Sequence, residues 1–146
     1  MGADFKDELK FLNRLNEDDE LFKYKFNHIK GKYPIKNCNK VYGFIKDNRG
    51  LIIVLDKVEE LLLEYVPYAS QVYMELDEDP LFTPQLILFV RVSKKDFGNG
   101  FKKDIRKIDS IIDPLLFKLD LALEFFIFEG SEYSEINEWN RFIFDF

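Results

Sequence analysis

Apolar and polar positions along this chain follow two different periods, and the period changes where turn residues stand. Phe5, Leu9, Leu12 and Leu15 recur at steps of four, three and three behind Asp4, the spacing of one helical face with an N-terminal cap. Glu17-Asp18-Asp19-Glu20 then places negative charge at a second helix start, and Phe22, Phe26 and Ile29 keep a helical step before Gly31, although Tyr24 and Phe26 also suit a strand. Residues 31–39 hold Gly, Pro and two Asn without a period and read as a loop.

Val41-Tyr42-Gly43-Phe44-Ile45 and Leu51-Ile52-Ile53-Val54-Leu55 flank Asp47-Asn48-Arg49-Gly50, the chemistry of a hairpin with its glycine in a left-handed conformation. The second run is apolar throughout and reads as a buried central strand. Asp56, with Glu59 three residues on, resembles a capping box opening a helix through Val66, with Val58, Leu61, Leu62 and Tyr65 on one face and Pro67 as its stop. Gln71 to Leu76 and Gln85 to Ser93 read as strands around an acidic turn containing Pro80 and Pro84. Phe101, Ile105, Ile108, Ile111 and Ile112 line the clearest helix, with Lys102, Lys103, Arg106 and Lys107 opposite, Gly98-Asn99-Gly100 opening it and Pro114 closing it. Leu121 to Glu129 reads as a last strand, and Phe142, Phe144 and Phe146 follow a two-residue period.

The expected order is α-α-β-β-α-β-β-α-β with a short aromatic tail. It predicts a single α+β domain over residues 1–146, a mixed, mainly antiparallel sheet of about five strands with helices packed on one face. No fixed repeat and no long linker divides the chain. The stretch 64–112, with its Val-Tyr-Met-Glu-Leu-Asp-Glu-Asp-Pro strand and turn, its Leu-Ile-Leu-Phe-Val-Arg-Val strand and its amphipathic helix, resembles a group of small uncharacterised prokaryotic proteins sharing strand, Asp-Pro turn, strand and helix. The resemblance covers about a third of the chain and implies a fold fragment, with no catalytic residues.

Composition narrows the class. With 47% hydrophobic and 33% charged residues in 146, the chain has material for a core and for a hydrated surface. Cys38 is the only cysteine, so no internal disulfide forms and a reducing, cytoplasmic setting is expected. No apolar stretch approaches the roughly 18 residues needed to span a membrane, the acidic N-terminus does not read as a signal peptide, and Lys6 stands where a myristoylation signal has Ser or Thr. Net charge is −6, yet residues 1–50 carry 11 basic against 8 acidic residues and residues 51–146 carry 10 against 19.

The positive charge is concentrated in Lys23, Lys25, Lys30, Lys32, Lys36, Lys40, Lys46 and Arg49, among which Asp47 is the only acid. Tyr24, Phe26, Tyr33, Tyr42 and Phe44 interleave with them, a composition suited to phosphate neutralisation and base stacking, and also to docking on the chain's own acids. Glu75, Asp77 and Asp79 supply oxygen ligands that a hard divalent cation would accept, without the spacing of a calcium loop; a solvated hairpin turn is the competing reading. His28 is the only histidine, which leaves no two-histidine metal site and no evident nucleophile and base pair with Cys38. Gly98-Asn99-Gly100 before Lys102-Lys103 lacks the spacing of a phosphate loop or a dinucleotide fingerprint. Trp139, Phe142, Phe144 and Phe146 suit an edge strand or a partner's surface. The expectation is a non-catalytic protein-interaction or oligomerisation domain without a cofactor, acting as a homodimer or on a protein partner. A nucleic-acid-associated protein using segment 23–49 is the first alternative, and a divalent-metal-dependent hydrolase the second.

Overall fold

The apolar run Leu51-Ile52-Ile53-Val54-Leu55 lies in a helix, and the helices around it organise the rest of the chain. The computed structural model of the protein describes residues 5–78 and 83–128. In order these form α1 (Lys6–Glu17), α2 (Asp19–Lys32), α3 (Cys38–Asp47), α4 (Leu51–Tyr65), β1 (Gln71–Asp77), β2 (Gln85–Arg91), the short turn of helix α5 (Lys94–Asp96), α6 (Lys102–Lys118) and β3 (Phe125–Phe128). The class is α+β, but the sheet has three strands among the described residues, not about five. Its order is β1-β2-β3, with β1 antiparallel to β2 over seven residue pairs and β3 parallel to β2 over four.

The expected hairpin at 41–55 is corrected to two helices. Val41 and Ile45 are buried one helical turn apart, and Tyr42 meets Phe26 edge to face at 4.8 Å. Leu51 to Leu55 are all buried, so α4 is enclosed on every side through its first turns, and the low helix preference of Ile and Val, a fraction of 1 kcal/mol each, is outweighed by burial of about 1.5–3 kcal/mol per side chain. Gly50 is not left-handed: its φ is −61°. A Cβ there would stand 2.9 Å from Leu121 Cδ1, so that the leucine side chain would have to shift to admit one.

Two further boundaries move. α2 continues to Lys32 and α3 begins at Cys38, leaving 33–37 as the connection. Pro114 does not end α6 but sits inside it, and Leu115 and Leu116 beyond it are buried with Ile105, Ile108 and Ile112. A proline costs its own N–H bond and crowds the preceding turn. The continued apolar face offsets that cost. The turn at Phe97–Phe101 is where left-handed freedom is needed: Gly100 has φ 97° as the chain swings into α6. Tyr68 donates its hydroxyl to Asp104 Oδ2 at 2.5 Å and ties the start of α6 to the turn after α4.

The inner face of the sheet, Met74, Leu86, Leu88, Val90, Phe125 and Ile127, joins one buried cluster with Leu15, Phe22, Ile29, Ile45, Val54 and Ile108 from the helices. β1 is covered at its outer edge, where Met74 N–H donates to the Pro34 carbonyl at 2.8 Å and Lys36 N–H to the Met74 carbonyl at 2.9 Å. No described helix is long and apolar enough to cross a membrane.

Candidate functional site

The basic segment 23–49 spans α2, the 33–37 connection, α3 and the turn into α4, and its cations are drawn into contacts within the fold. Lys32 Nζ lies 2.8 Å from Glu59 Oε2, Lys36 Nζ lies 3.6 Å from Glu75 Oε1, and Lys40 Nζ lies 2.9 Å from Glu78 Oε2. Lys23 faces Glu20 at 3.8 Å one turn back, and Lys25 sits 5.3 Å from the centre of the Phe11 ring. Arg49 is the most engaged. Its Nη1 donates to the Leu15 carbonyl at 2.6 Å, its Nη2 to Asp19 Oδ1 at 2.7 Å and its Nε to the Lys46 carbonyl at 3.2 Å. Its guanidinium also lies 4.7 Å above the Phe22 ring. Lys30 and Lys46 are exposed.

The interleaved aromatics divide in the same way. Phe26 and Tyr33 are core residues, the Tyr33 hydroxyl donating to the Leu55 carbonyl at 2.9 Å, while Tyr42 and Phe44 are half-buried. Tyr24 stands open at 69% exposure between Lys23 and Lys25. A stacking platform needs several accessible rings in a row. Among the five, helical geometry turns only Tyr24 fully outward.

Glu75 and Asp77 project from the same face of β1 into an open cleft of about 500 Å³, which Lys36, Asn37, Glu78, Ile87 and Phe89 also line. The ammonium of Lys36 is the counter-charge to Glu75 there. Asp79, Trp139, Phe142, Phe144 and Phe146 lie outside the described residues. No group of three or more potential metal ligands is assembled among the described residues. His28 is exposed on α2 and Cys38 begins α3.

Three ionisable groups report their surroundings. Arg49 beside Asp19 holds that carboxyl below its usual range, and hydrogen bonding to Glu59 raises the Lys32 ammonium. Burial pushes the Asp56 carboxyl up, against the pull of Lys25, Lys32 and His28. A folded-state pKa above the unfolded one means that the native chain binds this proton more tightly, so the penalty of Asp56 is absent below the unfolded pKa and grows as pH rises through the folded one. Asp56→Asn is therefore expected to raise the melting temperature at pH 7, with the gain shrinking to nothing near pH 3; thermal melts across that range check it, and a gain that persists at low pH would exclude titration as its source.

A second concavity lies elsewhere, between the second half of α6 and β3. It is an open groove of about 730 Å³ lined by Ile112, Pro114, Leu116, Phe117, Ala122, Phe125 and Ile127, with Asp109, Ser110, Asp113 and Gln85 among its polar groups. Phe117 is 80% exposed on its wall, and Leu123, beside the lining residue Ala122, is 74% exposed. Reading Pro114 as a terminator concealed this surface. The signal that reveals it is the helical step continuing through Ile108, Ile112, Leu115 and Leu119. Along the exposed side of α6, Lys103, Arg106, Ser110, Asp113 and Phe117 follow one another at steps of three or four, basic at the start and acidic, then apolar, towards the end.

No family model, no curated protein and no solved structure matches the chain.

Proposed function

We propose that this chain is a non-catalytic oligomerisation domain that pairs with a second copy of itself along α6 and β3. The observation that carries this reading is the exposed apolar pair Phe117 and Leu123 beside an open, largely apolar groove. Large exposed side chains clustered at one concave edge are what a partner covers. Two features favour a second copy. First, α6 is basic at Lys103 and Arg106 and acidic at Asp113, so an antiparallel two-fold pairing sets Arg106 of each copy towards Asp113 of the other. Second, β1 is bridged by the Pro34–Lys36 segment on its outer side, whereas β3 pairs only with β2 among the described residues. An uncharged strand edge reading Phe-Phe-Ile-Phe invites strand addition.

Light scattering on the eluting full chain tests this reading. Twice the chain mass at micromolar concentration is the expected result, and a monomer at every concentration up to the millimolar range overturns it.

The nucleic-acid alternative keeps Tyr24, Lys30 and Lys46 as its open groups. Salt-sensitive mobility shifts of single-stranded RNA or DNA would speak for it. The metal alternative rests on Glu75 and Asp77, where Lys36 already supplies the positive charge. Millimolar Mg²⁺ is accordingly expected to leave the melting temperature unmoved. Binding with a dissociation constant a hundredfold below the metal concentration would add about 2.7 kcal/mol, a rise that thermal melts with and without chelator would reveal.

A further inference from the structure

Segment 94–107 holds Lys94, Lys95, Lys102, Lys103, Arg106 and Lys107 against two acids, Asp96 and Asp104, and all six basic residues are exposed. It is a positive patch on a chain of net charge −6. Both acids are drawn into hydrogen bonds of the fold: Ser93 Oγ donates to Asp96 Oδ2 at 2.9 Å, and the Tyr68 hydroxyl donates to Asp104. Lys102 lies 5.5 Å from the centre of the Phe97 ring and Lys107 lies 5.8 Å from that of Tyr65, contacts that order both side chains. Lys95, Lys103 and Arg106 meet no carboxylate at ion-pair distance among the described residues. Segment 23–49 differs, because Glu59, Glu75, Glu78 and Asp19 reach its Lys32, Lys36, Lys40 and Arg49 from other parts of the chain. Asn99 and Gly100 depart from helical angles, so α6 starts afresh at Lys102 and the positive end of its dipole adds to the patch.

We propose that this patch is a docking surface for an extended acidic segment of a protein partner, whose carboxylates lie along Lys95, Lys103 and Arg106. Spacing agrees. Residues four apart on a helix, such as Lys102 and Arg106 or Lys103 and Lys107, stand about 6 Å apart along its axis, and same-side carboxylates of an extended chain stand about 6.6 Å apart. Other anionic partners fit less well. Single-stranded nucleic acid needs accessible rings for stacking and a lipid surface needs apolar side chains that enter it, yet the exposed large apolar residues Tyr24, Leu63, Phe117, Leu123 and Phe126 all lie outside the segment. Phosphorylated motifs favour arginine, whose planar fork takes a phosphate through two parallel bonds, and five of these six cations are lysines. A long polyanion also meets the repulsion of the whole chain, whereas a short segment responds to charges within the Debye length, about 10 Å at 0.1 M salt. The inference concerns the start of α6 and does not depend on self-association through its second half.

Fluorescence anisotropy of labelled decaglutamate titrated with the full chain tests this. Saturable binding at low salt is expected, weakening steeply as salt is raised. Lys95→Glu/Lys103→Glu is expected to weaken it at least about tenfold with far-ultraviolet circular dichroism unchanged, since both side chains are exposed. Lys30→Glu/Lys46→Glu makes the same change of charge on segment 23–49 and is expected to alter binding by no more than about twofold. Should the first variant lose its fold, Lys95→Gln/Lys103→Gln must still weaken binding severalfold. Absence of binding overturns the proposal, as does equal weakening by the two glutamate pairs, which would report net charge alone. So does tighter binding of decathymidylate or of phosphatidylserine vesicles that Lys95→Glu/Lys103→Glu abolishes, which would assign the patch to nucleic acid or to a membrane. Self-association lost in that same variant would assign it to a second copy. Phe117→Asp/Leu123→Asp separates the two surfaces: it is expected to dissociate the dimer and leave decaglutamate bound as before.

Discussion

Replacing Arg49 with alanine is expected to lower the unfolding free energy by about 2–4 kcal/mol, a large share of the stability of a domain this size. The side chain is 11% exposed, and its guanidinium serves the Leu15 and Lys46 carbonyls as well as Asp19 while lying over the Phe22 ring. Hydrogen bonds from a charged donor contribute about 1.5–3 kcal/mol, and the Leu15 carbonyl, at the end of α1 where no helical donor remains, would lose its partner. Asp19 faces solvent and adds little beyond these contacts. Lysine should not rescue the loss, because a point charge on a flexible stem cannot serve three acceptors around a planar fork. Urea unfolding of the alanine and lysine variants checks this. An unfolding free energy within about 0.5 kcal/mol of the parent for either would show that the turn between α3 and α4 does not depend on this residue. The expected loss also bears on function. Reduced nucleic-acid binding in an Arg49 variant would report a damaged fold, so Lys30 and Lys46 are the positions at which that alternative is fairly tested.

The double variant Phe117→Asp/Leu123→Asp is expected to weaken self-association at least about a hundredfold, since two apolar anchors at an interface each carry about 1–2 kcal/mol or more. Both side chains are exposed, so the monomer should keep its fold and melting temperature once dissociation is allowed for. The charge arrangement along α6 supplies a sharper check. Arg106→Glu alone sets like charges together in the antiparallel pairing and should dissociate the dimer. Adding Asp113→Arg restores complementarity and should recover it. Sedimentation at several concentrations reads both effects. An unchanged mass in the double aspartate variant would move the interface away from α6, and failure of the charge exchange to rescue would exclude the antiparallel alignment.

Legibility followed the kind of burial each segment undergoes. α1, α2 and the first part of α6 keep one face wet, so Leu9, Leu12 and Leu15 or Ile105, Ile108 and Ile112 show the helical period directly. β1 and β2 were legible through their β-branched and aromatic content and the turn residues between them. The run at 51–55 was not, because a helix buried on every side has no polar positions to mark its period and reads the same as a buried strand. Val41 to Ile45 failed for a related reason: its aromatic and β-branched residues favour a strand locally, and contacts with Phe26 across the fold reverse the choice. The expected set of about five strands became three among the described residues through these two segments, and the strand expected at 121–129 begins only at Phe125.

The candidate sites divide along the same line. By itself the sequence determined which groups exist: one histidine, one cysteine, a cluster of cations between Lys23 and Arg49, and acids around Glu75. It also determined the two strands and the charge gradient along α6, since each depends on neighbours a few residues away. Only the tertiary structure decided which charges meet. Lys36 reaches Glu75 and Lys40 reaches Glu78 across gaps of 39 and 38 residues, and Arg49 returns to Leu15 over 34, so cations that look unpaired in the sequence meet partners far along the chain, Lys40 at the surface and Arg49 largely buried. The same holds for the α6–β3 groove, which exists because β3 comes back parallel to β2 after α6 has crossed over. Side-chain chemistry is local and can be read residue by residue; pairing, burial and exposed surface are set by packing between segments far apart in the chain.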